Sequence, residues 1–121
     1  MRNELNEKIL QDFPQLFERP IQCECGDGWF LLIYDLCQKI TPLAIKSNED
    51  RSTIVVQIKE KFGGLRFYVS CATDVIYELI SEAENASRRI CEHCGQPGKT
   101  TGKRWFRTLC DGCERSLKSP G

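Results

Sequence analysis

Four cysteines near the C-terminus form two pairs, Cys91-Glu-His-Cys94 and Cys110-Asp-Gly-Cys113, with fifteen residues between the pairs. This spacing is typical of two short cysteine turns that close one tetrahedral zinc site. Four sulfur ligands leave no open coordination position, so the ion in such a site stabilises a fold and does not activate water. The sequence therefore predicts one structural Zn²⁺ held by Cys91, Cys94, Cys110 and Cys113.

The other four cysteines do not repeat this pattern. Cys23 and Cys25 have a single residue between them, Cys37 lies on an apolar helical stripe, and Cys71 follows a predicted strand. A second metal site built from these four residues is an alternative interpretation, but no matching second pair supports it. We expect Cys37 and Cys71 to be core side chains, and Cys23 and Cys25 to be partly exposed.

Catalytic chemistry has few candidates in this chain. His93 is the only histidine, and it lies between two predicted metal ligands, where we expect an exposed spacer. No Ser-His-Asp or Cys-His set can be assembled without it. Glu24, Asp27 and Asp35 have no spacing that defines a pair of catalytic carboxylates, and Asp27 is better placed to cap a helix. We therefore expect no enzymatic activity.

Positive charge is concentrated near the cysteines. Residues 1–87 carry nine basic and fourteen acidic side chains, whereas residues 88–107 carry six basic side chains and one acidic. The zero formal net charge argues against a protein that coats nucleic acid nonspecifically. Two interpretations of this segment stay open. It forms a surface for a partner or for nucleic acid, or its aromatic side chains, Trp105 or Phe106, cover the metal cluster or dock against the third helix. The candidate contact residues are Lys99, Lys103, Arg104, Trp105 and Arg107.

Two further basic residues, Lys61 and Arg66, flank the glycines Gly63 and Gly64. A phosphate-binding loop would need a lysine followed by serine or threonine and then a helix, and neither follows these glycines. The pattern favours a β-hairpin turn. Lys61 and Arg66 remain candidates for binding a phosphate or an acidic partner.

Hydrophobic periodicity predicts the elements that position these residues. A stripe of apolar residues from Trp29 to Ile40 indicates an amphipathic helix, which we expect Thr41-Pro42 to end. Ile54, Val56 and Ile58 alternate and should lie on one face of a strand. The predicted helices cover residues 3–13, 29–40 and 74–90, and the predicted strands cover 53–59 and 65–70. Residues 47–50 belong to a predicted polar loop.

These elements predict an α+β fold in which two to three helices pack on a small antiparallel β-hairpin, followed by a C-terminal four-cysteine zinc ribbon. Residues 1–90 would form the body, and residues 91–121 the ribbon and a short tail, as one compact unit. The longest apolar run covers six residues, too few to span a membrane. Eight cysteines without a recognisable export signal favour a cytoplasmic protein.

Four strings of the sequence resemble those of short, uncharacterised bacteriophage and prophage proteins: residues 24–29 (ECGDGW), 59–68 (KEKFGGLRFY), 91–98 (CEHCGQPG) and 108–113 (TLCDGC). The resemblance covers roughly residues 24–113. It implies no particular activity. It implies a phage accessory protein that acts in a bacterial cytoplasm on a host component, for example to counter a host defence.

Three classes of function follow from these observations. The first, which we expect, is a protein that binds a host protein through a surface stabilised by zinc. The second is a regulator that binds nucleic acid through residues 88–107. The third is a protein that binds a small ligand or nucleotide through the basic hairpin. No feature of the sequence predicts an oligomeric state.

Overall fold

A computed structural model describes residues 1–46 and 52–118 of the chain, without the side chains of residues 45, 46 and 118. It has the predicted α+β fold, with four helices and two small antiparallel hairpins. The predicted polar loop at 47–50 lies outside the described residues. In chain order, the elements are α1 (Asn3–Asp12), α2 (Phe30–Lys46), β1 (Val55–Lys61), β2 (Gly64–Val69), α3 (Asp74–Ser87), β3 (Lys99–Thr101), β4 (Arg107–Leu109) and α4 (Asp111–Lys118), with short 3₁₀ turns at Pro14–Leu16 and Asp27–Trp29.

The core lies between the inner face of the β1–β2 hairpin and the two long helices, α2 and α3. The predicted apolar stripe of α2 is confirmed, because Ile33, Leu36, Cys37 and Ile40 are all buried. Trp29, just before this helix, is also fully buried. None of the helices in the described part of the chain is long and apolar enough to cross a bilayer.

Both edges of the β1–β2 hairpin have hydrogen-bonding partners. On the β1 side, Glu24 forms a parallel bridge: its N–H donates to the Ile58 carbonyl at 2.9 Å, and its carbonyl accepts from the Glu60 N–H at 3.0 Å. On the β2 side, Leu65 N–H donates to the Ser87 hydroxyl of α3 at 2.9 Å. These contacts satisfy edge groups that would otherwise be open to pairing with another chain.

The prediction that Ile54, Val56 and Ile58 lie on one face of the first strand is wrong. Val55 pairs with Val69 and Gln57 pairs with Tyr68, so β1 has one residue more than β2 between these pairs. Val56 is that extra residue of a β-bulge, and its side chain is 53% exposed, whereas Val55 and Ile58 are buried. A bulge shifts the alternation by one residue, which the sequence pattern alone does not reveal.

Helix α2 continues through Thr41-Pro42, where the sequence predicted its end. Proline removes one backbone donor, but it does not have to end a helix when its ring faces solvent. Pro42 is exposed, and the hydroxyl of Thr41 donates to the Cys37 carbonyl at 2.7 Å within the same turn. Helix α3 ends at Ser87, earlier than the predicted residue 90.

Three of the remaining cysteines are placed differently from the prediction. Cys23 and Cys25 are buried, whereas Cys71 is only partly buried. Residues 23 and 25 flank the parallel bridge of Glu24, so strand alternation directs both thiols to the core. Burial raises the pKa of Cys23 to about 11 and that of Cys25 to about 12. Both side chains are therefore neutral thiols at physiological pH.

Asn6 is a buried polar residue that links α1 to the Cys23 segment. Its side-chain N–H donates to the Ile21 carbonyl at 2.9 Å, and its side-chain oxygen accepts from the Cys23 N–H at 2.7 Å.

Replacing Asn6 with alanine leaves the buried N–H of Cys23 without a partner, so we expect the free energy of unfolding to fall by about 1–3 kcal/mol. Urea denaturation measures this loss. Asn3→Ala, at an exposed position of the same helix, is the control, and an equal loss in both variants would contradict the role of Asn6.

Candidate metal centre

The fold brings together the two predicted cysteine pairs. The Sγ atoms of Cys91, Cys94, Cys110 and Cys113 all lie within 4.8 Å of one another. None of them forms a disulfide. The Cys94 and Cys110 sulfurs are 3.7 Å apart, close to the separation of about 3.8 Å that a tetrahedral ion with metal–sulfur bonds of about 2.3 Å requires. The four cysteines could therefore hold one metal ion.

Each pair is positioned by local backbone hydrogen bonds. The first pair occupies a tight turn after α3, in which the Gly95 N–H donates to the Cys91 carbonyl at 2.9 Å. Gly95 has a φ of 85°, a conformation that favours glycine. The second pair spans the junction of β4 and α4, where the Cys113 N–H points at the Cys110 sulfur at 3.4 Å.

The protein environment makes one of the four thiols acidic. Burial opposes ionisation of Cys91, but N–H groups of Cys110, Cys94 and His93 donate toward its sulfur, and they lower its pKa to about 6. Hydrogen bonding with the Cys110 thiol raises the pKa of Cys113 to about 12. Thiolates are the form of cysteine that binds a metal ion, so a bound cation would displace the protons of these thiols.

No second cluster of candidate ligands occurs in residues 1–46 and 52–118. The alternative of a site built from Cys23, Cys25, Cys37 and Cys71 therefore has no geometric support. His93 is exposed, as expected for a spacer between ligands.

The first cysteine pair is anchored to the body through the segment from Gly26 to Trp29. The Gly28 N–H donates to the Glu92 carbonyl at 2.7 Å, and the Gly26 N–H donates to the Glu92 carboxylate at 2.9 Å. The indole N–H of Trp29 donates to the Ile90 carbonyl at 2.8 Å. A Cβ atom on Gly28 would lie 2.1 Å from the carbonyl oxygen of Cys91, so only glycine allows this approach.

These contacts correct the predicted role of Asp27 and identify a residue that sequence reasoning missed. Asp27 does not cap α2; its carboxylate accepts the backbone N–H of Arg2 at 2.8 Å. The two glycines around Asp27 precede α2 and also receive the cysteine turn. Glu92 was counted only as the acidic residue of the basic segment, yet its half-buried carboxylate accepts the Gly26 N–H, and burial raises its pKa. In the sequence, the close spacing of Gly26 and Gly28 was the signal that another backbone segment could pack here.

A second anchor joins the β3–β4 hairpin to the turn of the β1–β2 hairpin. That turn has positive φ angles at Phe62 (54°) and Gly63 (81°), which confirms the hairpin turn over a phosphate-binding loop. The hydroxyl of Thr108 donates to the Gly63 carbonyl at 2.5 Å, and its oxygen lies 2.5 Å from the hydroxyl of Thr100. The inner face of the ribbon hairpin is thus fixed to the body.

We expect Thr108→Val to weaken this anchor. Thr108 is fully buried, and valine keeps its shape but leaves the Gly63 carbonyl without this donor, at a cost of about 1–3 kcal/mol. Urea denaturation of the metal-loaded protein measures the change. Thr101→Val, at an exposed position of the neighbouring strand, should change the free energy of unfolding by about 0.5 kcal/mol or less. A similar result for both variants would contradict the anchor.

Of the predicted contact residues, Lys99 and Arg107 lie in the strands of the ribbon hairpin, and Lys103, Arg104 and Trp105 lie in the loop between them. Trp105 does not cover the cysteine cluster, because its side chain is 81% exposed. Trp105 belongs to the loop between β3 and β4. The four predicted basic contact residues are also exposed, and within the described residues none of them forms an ion pair within 4 Å; they are Lys99, Lys103, Arg104 and Arg107.

Lys61 and Arg66 lie on the body hairpin. Lys61 precedes the turn, and a Cβ atom on Gly63 in that turn would lie 3.5 Å from the backbone nitrogen of Arg107, so this end of the hairpin adjoins the ribbon. Arg66 pairs with Lys59 two positions further from the turn. The fold therefore places Lys61 near the basic ribbon and Arg66 further along the sheet.

Comparisons with known proteins do not add to this geometry. No protein-family model matches the chain, and neither the curated proteins nor the solved structures give a significant match. The function has to be inferred from the site itself.

Proposed function

We propose that this protein is a small, non-enzymatic interaction protein whose zinc centre fixes a contact surface for a host protein. The observation that carries this proposal is the contrast between the two sides of the ribbon. One side is tied to the body through Glu92 and Thr108. The other side presents Trp105 almost fully to solvent, beside basic residues. A large aromatic residue exposed on a rigid support is characteristic of a binding hot spot.

Zinc is the metal that we assign to the four cysteines. A tetrahedral site of four sulfurs suits zinc or iron, and a closed site of this kind has a structural role. Elemental analysis should find one zinc per purified chain, in a colourless protein. If the analysis found iron and the protein absorbed visible light, the metal would be iron and not zinc. A fully folded protein without metal would refute the structural role of the ion.

The proposed setting is a bacterial cytoplasm. The resemblance to short phage and prophage proteins supports this setting and a host protein as the partner. Eight cysteines without a disulfide among those described are consistent with a reducing compartment.

A second candidate function is binding of single-stranded nucleic acid. Trp105 lies between Arg104 and Phe106, and exposed rings beside cations can stack on bases. This candidate predicts binding that weakens steeply with salt and that is lost when Lys103, Arg104 and Arg107 are replaced by alanine.

A pull-down separates the two candidates. Tagged protein is expressed in a bacterial host, and the lysate is treated with nuclease before capture. We expect a protein partner to be captured in stoichiometric amount even after nuclease treatment. Its capture should be lost with Cys94→Ser, which disrupts the metal site. Cys71→Ser is the matched control, because Cys71 lies outside the cluster. Capture of nucleic acid alone would favour the second candidate and overturn the first.

A further inference from the structure

We propose that a groove between the outer face of the β3–β4 hairpin and helix α4 binds an acidic segment of a protein partner, with one large apolar side chain inserted beside Trp105. This inference rests on the proposed function and makes it more specific. It adds α4, which sequence reasoning did not assign to any contact surface.

The groove is formed by the side of the ribbon hairpin that does not contact the body. In β3 and β4, Thr100 and Thr108 face the body turn, so Thr101, Arg107 and Leu109 alternate to the opposite face. Glu114 and Leu117 of helix α4 line the groove on this side. The groove has a volume of about 440 Å³, within the usual range for a specific binding site. Its principal lining residues are Thr101, Lys103, Trp105, Arg107, Glu114 and Leu117.

The apolar part of the groove requires a partner with an apolar side chain. Trp105 is 81% exposed and Leu117 is 43% exposed, and both line the groove together with the buried Leu109. A groove of this volume with exposed apolar side chains leaves room for an apolar side chain of a partner. A protein segment can supply that side chain, and its insertion would remove Trp105 and Leu117 from water.

The charge around the groove specifies the rest of the partner. Lys103 and Arg107 line it, and Lys99 lies on the same face of β3 as Thr101. Within the described residues, these three cations form no ion pair within 4 Å. Carboxylates on either side of the inserted side chain would complement them and would favour the correct partner over basic ones.

A polypeptide fits this groove better than single-stranded nucleic acid does. Leu109 and Leu117 line the groove together with Trp105. These aliphatic side chains suit an apolar side chain of a polypeptide. Trp105 is the one aromatic side chain lining the groove, while binding of a nucleic acid strand relies on successive stacked rings.

A displayed library of random peptides about a dozen residues long provides the test, with immobilised, zinc-loaded full chain as the target. We expect enriched peptides to be acidic and to contain at least one Trp, Phe, Leu or Met residue. The best peptide, labelled with fluorescein, is then measured by fluorescence anisotropy. Its binding should also shift the emission of exposed Trp105 to shorter wavelength, whereas Trp29 is already fully buried.

Variants connect the peptide to the groove. Trp105→Ala, Leu117→Ala and the double charge reversal Lys103→Glu with Arg107→Glu should each raise the Kd about tenfold or more. Tyr77→Ala and Arg19→Glu alter exposed residues outside the groove and should leave the Kd within about twofold. Zinc content and near-ultraviolet circular dichroism show that each variant is folded.

Several results would overturn the proposal. These are enrichment of basic peptides, enrichment that Trp105→Ala does not reduce, or an oligo(dT) strand that competes better than the selected peptide. Self-association that Trp105→Ala abolishes would make a second copy of the chain the occupant instead. If the pull-down retains a protein partner with both Trp105→Ala and Leu117→Ala, the groove inference fails while the proposed function stands. If it retains no protein partner, the proposed function fails.

Discussion

Removing the metal should unfold the ribbon, residues 91–118, while the helices of the body remain. Structural zinc contributes on the order of 10 kcal/mol to the folding of small domains, and this ribbon has only two short strands and one short helix. The body has its own buried core on α2, α3 and the β1–β2 hairpin. Hydrogen–deuterium exchange before and after treatment with a strong chelator measures the difference. We expect protection to disappear at Thr108 and Leu109 and to persist in α2.

Cys94→Ser should reproduce this result without a chelator, because Cys94 is exposed and its replacement creates no cavity in the core. Cys71→Ser should keep one metal ion per chain and full protection of the ribbon. If metal-free protein retained its exchange protection at Thr108, the ribbon would be stabilised by the body alone, and the structural role of the metal would be wrong.

Gly28→Ala should detach the first cysteine pair from the body. The added methyl group would lie 2.1 Å from the carbonyl oxygen of Cys91 and 2.6 Å from the backbone of Glu92. These are backbone atoms, which no side-chain rotation can move. The clash also breaks the hydrogen bond from Gly28 N–H to Glu92. We expect the free energy of unfolding to fall by about 3 kcal/mol or more, as for other severe packing errors. Thermal or urea denaturation of the metal-loaded protein measures this loss.

Gly112→Ala is a matched control for this substitution. Apart from its chain neighbours and the backbone of its own helix α4, no atom of the described residues lies within 4 Å of a Cβ built on Gly112. Alanine should stabilise that helix by up to about 1 kcal/mol. The metal content of both variants should be measured, since Gly28→Ala acts on docking and not on the thiolates. An unchanged stability in Gly28→Ala would mean that the cysteine turn does not contact the body as the structure has it.

Much of the local structure could be predicted because it depends on residues close together in the chain. The stripe from Trp29 to Ile40 predicted α2, and the glycines at 63 and 64 predicted a hairpin turn. The errors occurred where a local pattern competed with a distant contact. Val56 is exposed because a bulge interrupts β1, and Cys23 and Cys25 are buried because their segment pairs with β1. Pro42 does not end α2 because its ring lies on the solvent side.

The sequence by itself determined that the two cysteine pairs could form one four-sulfur site, since the spacing of Cys91, Cys94, Cys110 and Cys113 is a local property of two tight turns. Only the tertiary structure decided what surrounds that site. Gly28 and Glu92 are far apart in the chain and meet only because α3 returns to the start of α2. The exposure of Trp105 was also decided by the fold. The hydrogen bond from Thr108 to Gly63 holds the inner face of the ribbon against the body and leaves its outer face to solvent.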